Sequence, residues 1–395
     1  MTSRFVLSVL LACAAAAPLA AQKVGAALPP WQPGNLDIHF INTGRGDAAL
    51  LILPDGTTLQ FDAGDGGWPI GSPRGVKPRP DASRPAGAWI ARYARRVLSH
   101  FREPALDYAL LSHLHGDHMN GFPDLGRQLP IGKMLDRAWP SYDTPFDVTQ
   151  YEPAAEYIAF ARENPERMER FQPGRNDQIK LLRAPGDYPD FEIRNIMANG
   201  EVWTGEGEQT RHRFPDDWRS LPESDQPNEN MSSLGIRIRY GKFDFYTGGD
   251  IPGTPRPGYP GWQDIETPVG EAVGAVDVAA NNHHGNRDST NAGYVSALQP
   301  RFWILQVWSS DHPGHDVLDR MYSQRLYPGE RDVLATNMSQ ANKDVIGDLL
   351  DRLMSDQGHI VIRVEPGGAS YSALVLEDED ESMRVKAVHG PYESR

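Results

Sequence analysis

Hydrophobic and polar positions alternate with a period of two at Leu36, Ile38 and Phe40 against Asp37 and His39. That alternation predicts a half-buried strand, with His39 on its polar phase as a surface or hydrogen-bonded residue. The apolar runs 48–53 and 58–61 flank Pro54-Asp55-Gly56, a turn signal, and predict a hairpin. Trp89, Ile90, Tyr93, Val97, Leu98 and Phe101 recur at helical spacing, with Arg92, Arg95 and Arg96 elsewhere on the turn. They predict an amphipathic helix laid on the sheet, feeding a further strand over 107–112. The pattern then loosens. Residues 126–229 are rich in Pro, Asp, Glu, Arg and Trp, with one helical stretch around 154–170, and read as an insertion or a long excursion over the site. Alternation resumes at Leu234, Ile236, Ile238 and Tyr240, and further strands follow at 243–247, 275–280 and 302–308. Val345, Ile346, Leu349, Leu350 and Leu353 mark a late helix, and 359–364 and 371–376 are terminal strands. The acidic run 377–381 reads as a solvated loop.

Polar clusters stand where these strands end. The strand at 107–112 runs into LSHLHGDHMNG, in which His113, His115, Asp117 and His118 form H-x-H-x-D-H. Three imidazoles and a carboxylate in six residues cannot all point one way along a strand. They fit a tight loop turned inward around a cation. Imidazole suits zinc, iron or manganese, and the added carboxylate shifts preference towards harder metals. With 12 His in 395 residues, this crowding weighs against an ordinary His-rich surface loop. The later strands end at Gly248-Gly249-Asp250, at Asn281-Asn282-His283-His284-Gly285 and at Asp311-His312-Pro313. Glycine-rich loops carry Asp47 and Asp62, each either a partner to a ligand or a turn former.

Composition narrows the chemistry. Arg4 followed by an apolar run and Leu19-Ala20-Ala21 reads as a signal peptide over 1–21, so the mature protein is expected in the periplasm or secreted. Cleavage after Ala21 is favoured over lipid attachment at Cys13. Cys13 is the only cysteine, which leaves the mature chain without disulfides or thiolate ligands, so a metal site must use N and O donors. No later stretch is long and apolar enough for a transmembrane span. A net charge of −14 argues against extended nucleic-acid binding. The length fits one large domain or two ordinary ones.

The order of motifs resembles the metallo-β-lactamase superfamily. More narrowly, it is similar to the hydrolase domain of the ComEC competence proteins and their stand-alone relatives. The likeness runs through NTGRGDAALLILPDGTTLQFDAG, SHLHGDH, NENMSSLGIRIRYGKFDFYTGGD, NNHHGN and His312-Pro313, covering most of 36–318. It implies an α/β fold, the αββα sandwich of two mixed β-sheets with outer helices, over 35–365, with 366–395 as a C-terminal strand and acidic tail. It implies two divalent metal ions, zinc or manganese. His113 and His115 would hold the first, Asp117, His118 and either His283 or His284 the second, and Asp250 would bridge. Superfamily members with a third histidine on the first metal have it where this chain has Asn230 and Ser232-Ser233. Asn230 is therefore the candidate third ligand, and His212 the alternative. An amide there favours manganese over zinc. Asp117, orienting water, and His312, donating a proton to the leaving group or bonding a substrate oxygen, are the catalytic candidates; His312 would otherwise cap the following helix. His315 reads as helix surface. The implied activity is metal-assisted hydrolysis, first of a phosphodiester or related ester in a small-molecule or envelope-derived substrate. The alternatives are a lactone or β-lactam hydrolase, and a non-catalytic binding protein on the same fold, against which the retained Asp117, Asp250 and HHG weigh.

Overall fold

The computed structural model describes residues 22–254 and 257–395; the expected signal peptide, with Cys13, lies outside them. Strands β1 (Leu36–Phe40), β2 (Ala48–Ile52) and β3 (Thr58–Ala63) form an antiparallel meander whose hairpin closes at Pro54-Asp55-Gly56. Helix α1 (Ala86–Val97) crosses over so that β4 (Leu106–Leu110) joins β3 in parallel. The short α2 (Gly116–Met119) and α3 (Phe122–Gln128) then lead to β5 (Ile131–Asp136), and α4 (Ala155–Glu163) to β6 (Met168–Arg170), both parallel.

The chain next builds a second sheet. Antiparallel β7 (Phe191–Ala198), β8 (Glu201–Trp203), β9 (Thr210–His212), β10 (Gly235–Tyr240) and β11 (Phe243–Gly248) come first. Three parallel strands follow through helical crossovers: α5 (Glu266–Val273) to β12 (Val278–Ala280), α6 (Ala292–Leu298) to β13 (Phe302–Leu305), and α7 (His315–Tyr322) to β14 (Asp332–Ala335). After α8 (Gln340–Ile346), strands β15 (His359–Val364), β16 (Ser370–Leu376) and β17 (Val385–Glu393) return to the first sheet beside β1. The sheet orders are β17-β16-β15-β1-β2-β3-β4-β5-β6 and β14-β13-β12-β11-β10-β7-β8-β9.

Three apolar layers fix the architecture. Ile38, Phe40, Leu51 and Leu110 of the first sheet meet Ile236, Phe245 and Ile304 of the second in a central core. The outer face of the first sheet lies under α1, α3 and α4, with Ile90, Leu125 and Ile158. The outer face of the second lies under α5, α6 and α7, with Val269, Val295 and Leu318. Each sheet must cover both faces, and the result is the αββα sandwich that the resemblance implies.

Burial on both faces changes several expectations. All five residues of β1 are buried, and His39 is enclosed, its Nδ1 3.0 Å from the Tyr93 hydroxyl. The stretch 126–229 is no mere insertion. It supplies β5 and β6 to one sheet and β7, β8 and β9 to the other, mostly short strands towards the sheet edges whose alternation is too brief to read. Its helix ends at Glu163, short of the expected 154–170, and gives way to β6. After 365 the expected strand at 371–376 is β16, and the stretch read as a tail beyond it adds a further strand, β17. Asp378, in the run read as solvated, is fully buried and accepts hydrogen bonds from Asn42 Nδ2 at 2.6 Å and Gln357 Nε2 at 3.0 Å.

Candidate metal centre

The polar clusters meet because the strands carrying them end at the same rim of the sandwich. In each sheet the parallel strands β4, β11, β12 and β13 deliver their C-terminal ends there, the position where open α/β sheets place ligands. His113 and His115 leave β4 in extended backbone, and Asp117 and His118 sit on α2, so the four side chains converge within one turn.

Two groups result. His113, His115 and Asp250 form one; Asp117, His118, Asp250 and His284 form the other, each offering ligand atoms within 4.8 Å of one another. Asp250 belongs to both, the bridging position that the resemblance implies. Its carboxylate lies 3.7 Å from His113 Nε2, 3.2 Å from His118 Nε2 and 3.5 Å from His284 Nε2. His284 Nε2 is 3.2 Å from Asp117 Oδ2, which places His284, rather than His283, with the second group.

A metal fits this donor set. His118 Nε2 and Asp250 Oδ1 are buried and face each other without a hydrogen bond. Buried polar atoms ordinarily have partners, and a shared cation satisfies both at once. Charge points the same way. Burial pulls the His118 imidazole down, but the carboxylates of Asp250 and Asp62 outweigh it and hold His118 well above its usual range. His284 is likewise held up against burial by Asp250 and Asp47. Asp250 is kept well below the usual carboxylate range, because the surrounding imidazoles outweigh its burial. The carboxylates that favour positive charge on these imidazoles would equally favour a divalent cation among them.

A second ring of residues aims the ligands. Asp62 Oδ2 lies 2.8 Å from His118 Nδ1, and its Oδ1 accepts from the Ser112 backbone N–H at 2.6 Å. Asp47 Oδ1 lies 3.1 Å from His284 Nδ1. Both are therefore partners to ligands, turning each Nε2 lone pair inward. The glycines around Asp47 and Asp62 have a steric reason. A Cβ at Gly46 or Gly64 would overlap the Asp117 carbonyl oxygen, which accepts from the Asp47 N–H at 2.9 Å.

His283 and His284 adopt φ of 46° and 52°. Left-handed backbone costs non-glycine residues roughly 1–2 kcal/mol each, and here it turns both imidazoles towards Asp250. Glu266 holds this turn by accepting from Asn282 Nδ2 at 2.8 Å, Thr290 N at 2.7 Å and Asn291 N at 2.8 Å. Burial pushes its carboxyl up to about 7 despite those bonds. Glu229 does similar work for the first loop, accepting from Leu114 N at 2.7 Å and pairing with buried Arg137. Neither glutamate was legible as a site residue: each reaches its partners from a segment distant in sequence.

The remaining candidates separate. His283 Nδ1 is 2.7 Å from Asp288 Oδ1, and its Nε2 is 3.3 Å from Asn230 Nδ2 and 4.0 Å from Asp250. Asn230 thus lies beside His283, with its Oδ1 buried and unpartnered. His212 is excluded as its alternative; it sits half-exposed on β9, paired with Glu201 at 3.1 Å. His312 packs on His284 with ring centroids 4.8 Å apart and has both ring nitrogens buried and unpartnered. It does not cap α7, whose N-cap is Gly314 with no side-chain bond. His315 is exposed on α7, as expected.

No protein-family model matches the sequence, and no curated protein does. Among solved structures the chain is similar to a protein from Parabacteroides distasonis assigned as a metal-dependent hydrolase. The identity is 13%, over 75% of this chain and 92% of that chain, at a TM-score of 0.37. It is also similar to a diphosphatase of the PhnP family, at 11% identity over 76% and 94% of the two chains and a TM-score of 0.35. A further similarity, to CmlA, a diiron β-hydroxylase from Streptomyces venezuelae, has 14% identity and a TM-score of 0.39. It covers 85% of this chain but 55% of that one. The architecture is two mixed sheets between outer helices, with the candidate ligand motifs gathered at one rim.

Proposed function

We propose that this chain is a metal-dependent hydrolase of the metallo-β-lactamase superfamily, ComEC-like, acting outside the cytoplasm on a phosphodiester or related ester. The observation that carries the reading is Asp250, one carboxylate shared by two candidate ligand groups. His113, His115 and Asp250 would hold one divalent cation, and Asp117, His118, His284 and Asp250 the other. Two such cations activate water and stabilise charge developing on the scissile group. The chain's own residues do the rest. Asp62 and Asp47 fix the tautomers of His118 and His284 through their Nδ1 atoms. Asp117, whose Oδ2 lies 3.2 Å from His284 Nε2, offers its carboxylate to orient a nucleophile. His312, with two free ring nitrogens beside His284, is assigned the hydrogen bond to a substrate oxygen. The nitrogen-and-oxygen donor set admits zinc or manganese, and an amide ligand from Asn230 would favour manganese.

The test is metal content followed by turnover. About two metals per chain, with hydrolysis of bis-p-nitrophenyl phosphate abolished by chelation and restored by manganese or zinc, is the expected result. Turnover of nitrocefin or a lactone alone would transfer the reading to those bonds. No metal uptake would overturn it in favour of a binding protein. Export is supported by the sequence over 1–21 and is tested by fractionating cells that express the full chain.

A further inference from the structure

Beside His283 lies a partly open cavity of about 200 Å³ that the metal chemistry does not use. Its polar walls come from three separate segments: Ser224, Asn228 and Asn230 ahead of β10, Tyr259 and Gln263 after Asp250, and Asp288 after the HHG turn. Two of those residues join it to the metal centre. Asn230 and Asp288 are the partners of His283, at 3.3 and 2.7 Å, and His283 lies 4.0 Å from Asp250. The cavity is therefore close enough to the centre for one molecule to reach both.

The walls carry unspent hydrogen-bonding capacity. Asn230 Oδ1 is buried without a partner. Asn228 spends its Oδ1 on the Met231 N–H at 3.1 Å, which leaves its NH₂ unengaged among the described residues. Gln263 is 5% exposed, and its NH₂ makes only a long bond of 3.4 Å to the Asp225 carbonyl. Asp288 uses Oδ1 on His283 and keeps Oδ2. Amide donors, amide acceptors and one carboxylate around a space of roughly six or seven water volumes suit neighbouring hydroxyls, each of which donates and accepts. Tyr259 adds a ring face for C–H groups. An apolar occupant would leave these groups unpaired, and desolvated unpaired amides reject it.

We propose that this cavity is a subsite for one polyhydroxylated unit, a sugar ring or a glycerol, attached to the scissile group held at the metals. The proposal rests on the hydrolase reading of that centre. It is tested by calorimetry on the manganese-loaded full-length protein with glucose 1-phosphate, glycerol 1-phosphate, cyclohexyl phosphate and methyl phosphate. Glucose 1-phosphate or glycerol 1-phosphate is expected to bind at least about tenfold more tightly than methyl phosphate, the worth of one to three net hydrogen bonds. Gln263→Leu and the more exposed Asn228→Ala should each shrink that preference, with metal content still about two per chain. Two variants guard against misfolding at the buried position. Equal affinities, or cyclohexyl phosphate binding as tightly as glucose 1-phosphate, would overturn the subsite. Turnover of bis-p-nitrophenyl phosphate with equal affinities would sink the subsite alone. A hydroxyl preference without any turnover would keep the subsite and sink the hydrolase.

Discussion

Single carboxylates that belong to neither ligand group set the orientation of the imidazoles that would hold the cations. Asp62 accepts from His118 Nδ1 and from Ser112 N at once. In Asp62→Asn the amide oxygen can keep the Ser112 bond, but the NH₂ then faces Nδ1 and favours the tautomer with its proton on Nε2. The second cation should bind about 10–100-fold more weakly, read by chelator competition, with the first cation retained. Gly64→Ala acts on the same site through sterics, since its Cβ overlaps the Asp117 carbonyl oxygen. Metal content should fall from about two towards one per chain, measured by mass spectrometry. Protons compete with metal as well. His118 and His284 are held protonated well above their usual range when metal-free, so metal uptake near neutral pH must release protons and affinity must fall on acidification. Calorimetry in two buffers of different ionisation enthalpy should show that release.

Between elements, the seam of β1 and β15 joins the first strand of the fold to its last three. Asp37 and Arg363 face each other across that seam, both buried, with bonds of 2.8 and 2.6 Å. Burial would raise the Asp37 carboxyl, but the Arg363 guanidinium and His39 together outweigh it and lower the value to about 2. Because the folded value lies below the unfolded one, the contribution is present above about pH 3.8 and is lost as pH falls through about 2. Asp37→Asn leaves Arg363 buried without its charge partner and should cost about 3–5 kcal/mol in urea unfolding at pH 7. Replacing both residues by apolar ones of similar volume should recover most of that loss.

Across the whole molecule, each sheet is complete only when distant parts of the chain have met. Deleting 366–395 removes β16 and β17, bares the edge of β15 and strips Tyr371, Val375 and Leu376 from two cores. The truncated protein should fail to fold and aggregate, seen by loss of cooperative unfolding, whereas removal of a mere tail would change little. The candidate ligands come from both sheets through β4, β11 and β12, so the full set is assembled only in the folded state. Saturating a site at 100 times its Kd should add about 2.7 kcal/mol and raise the melting temperature, reversed by chelation.

Local periodicity and local crowding are properties the sequence holds by itself. The β2–β3 hairpin, helix α1 and the strand β4 needed only neighbours a few residues apart. His113, His115, Asp117 and His118 were legible because one loop carries all four. Asp250 and the HHG pair were legible as strand-end motifs, though not the division of labour between His283 and His284. That division was decided by tertiary closure, which sets Asp117 3.2 Å from His284 and Asp288 2.7 Å from His283. Closure likewise made Asp62 and Asp47 partners to ligands, brought Glu229 and Glu266 to the loops they hold, and buried His39 and Asp378. The physical reason is the same in each case. A side chain's period shows which face it takes, but its partner depends on which distant segment covers that face, and in a two-sheet sandwich that is settled only when both sheets have closed.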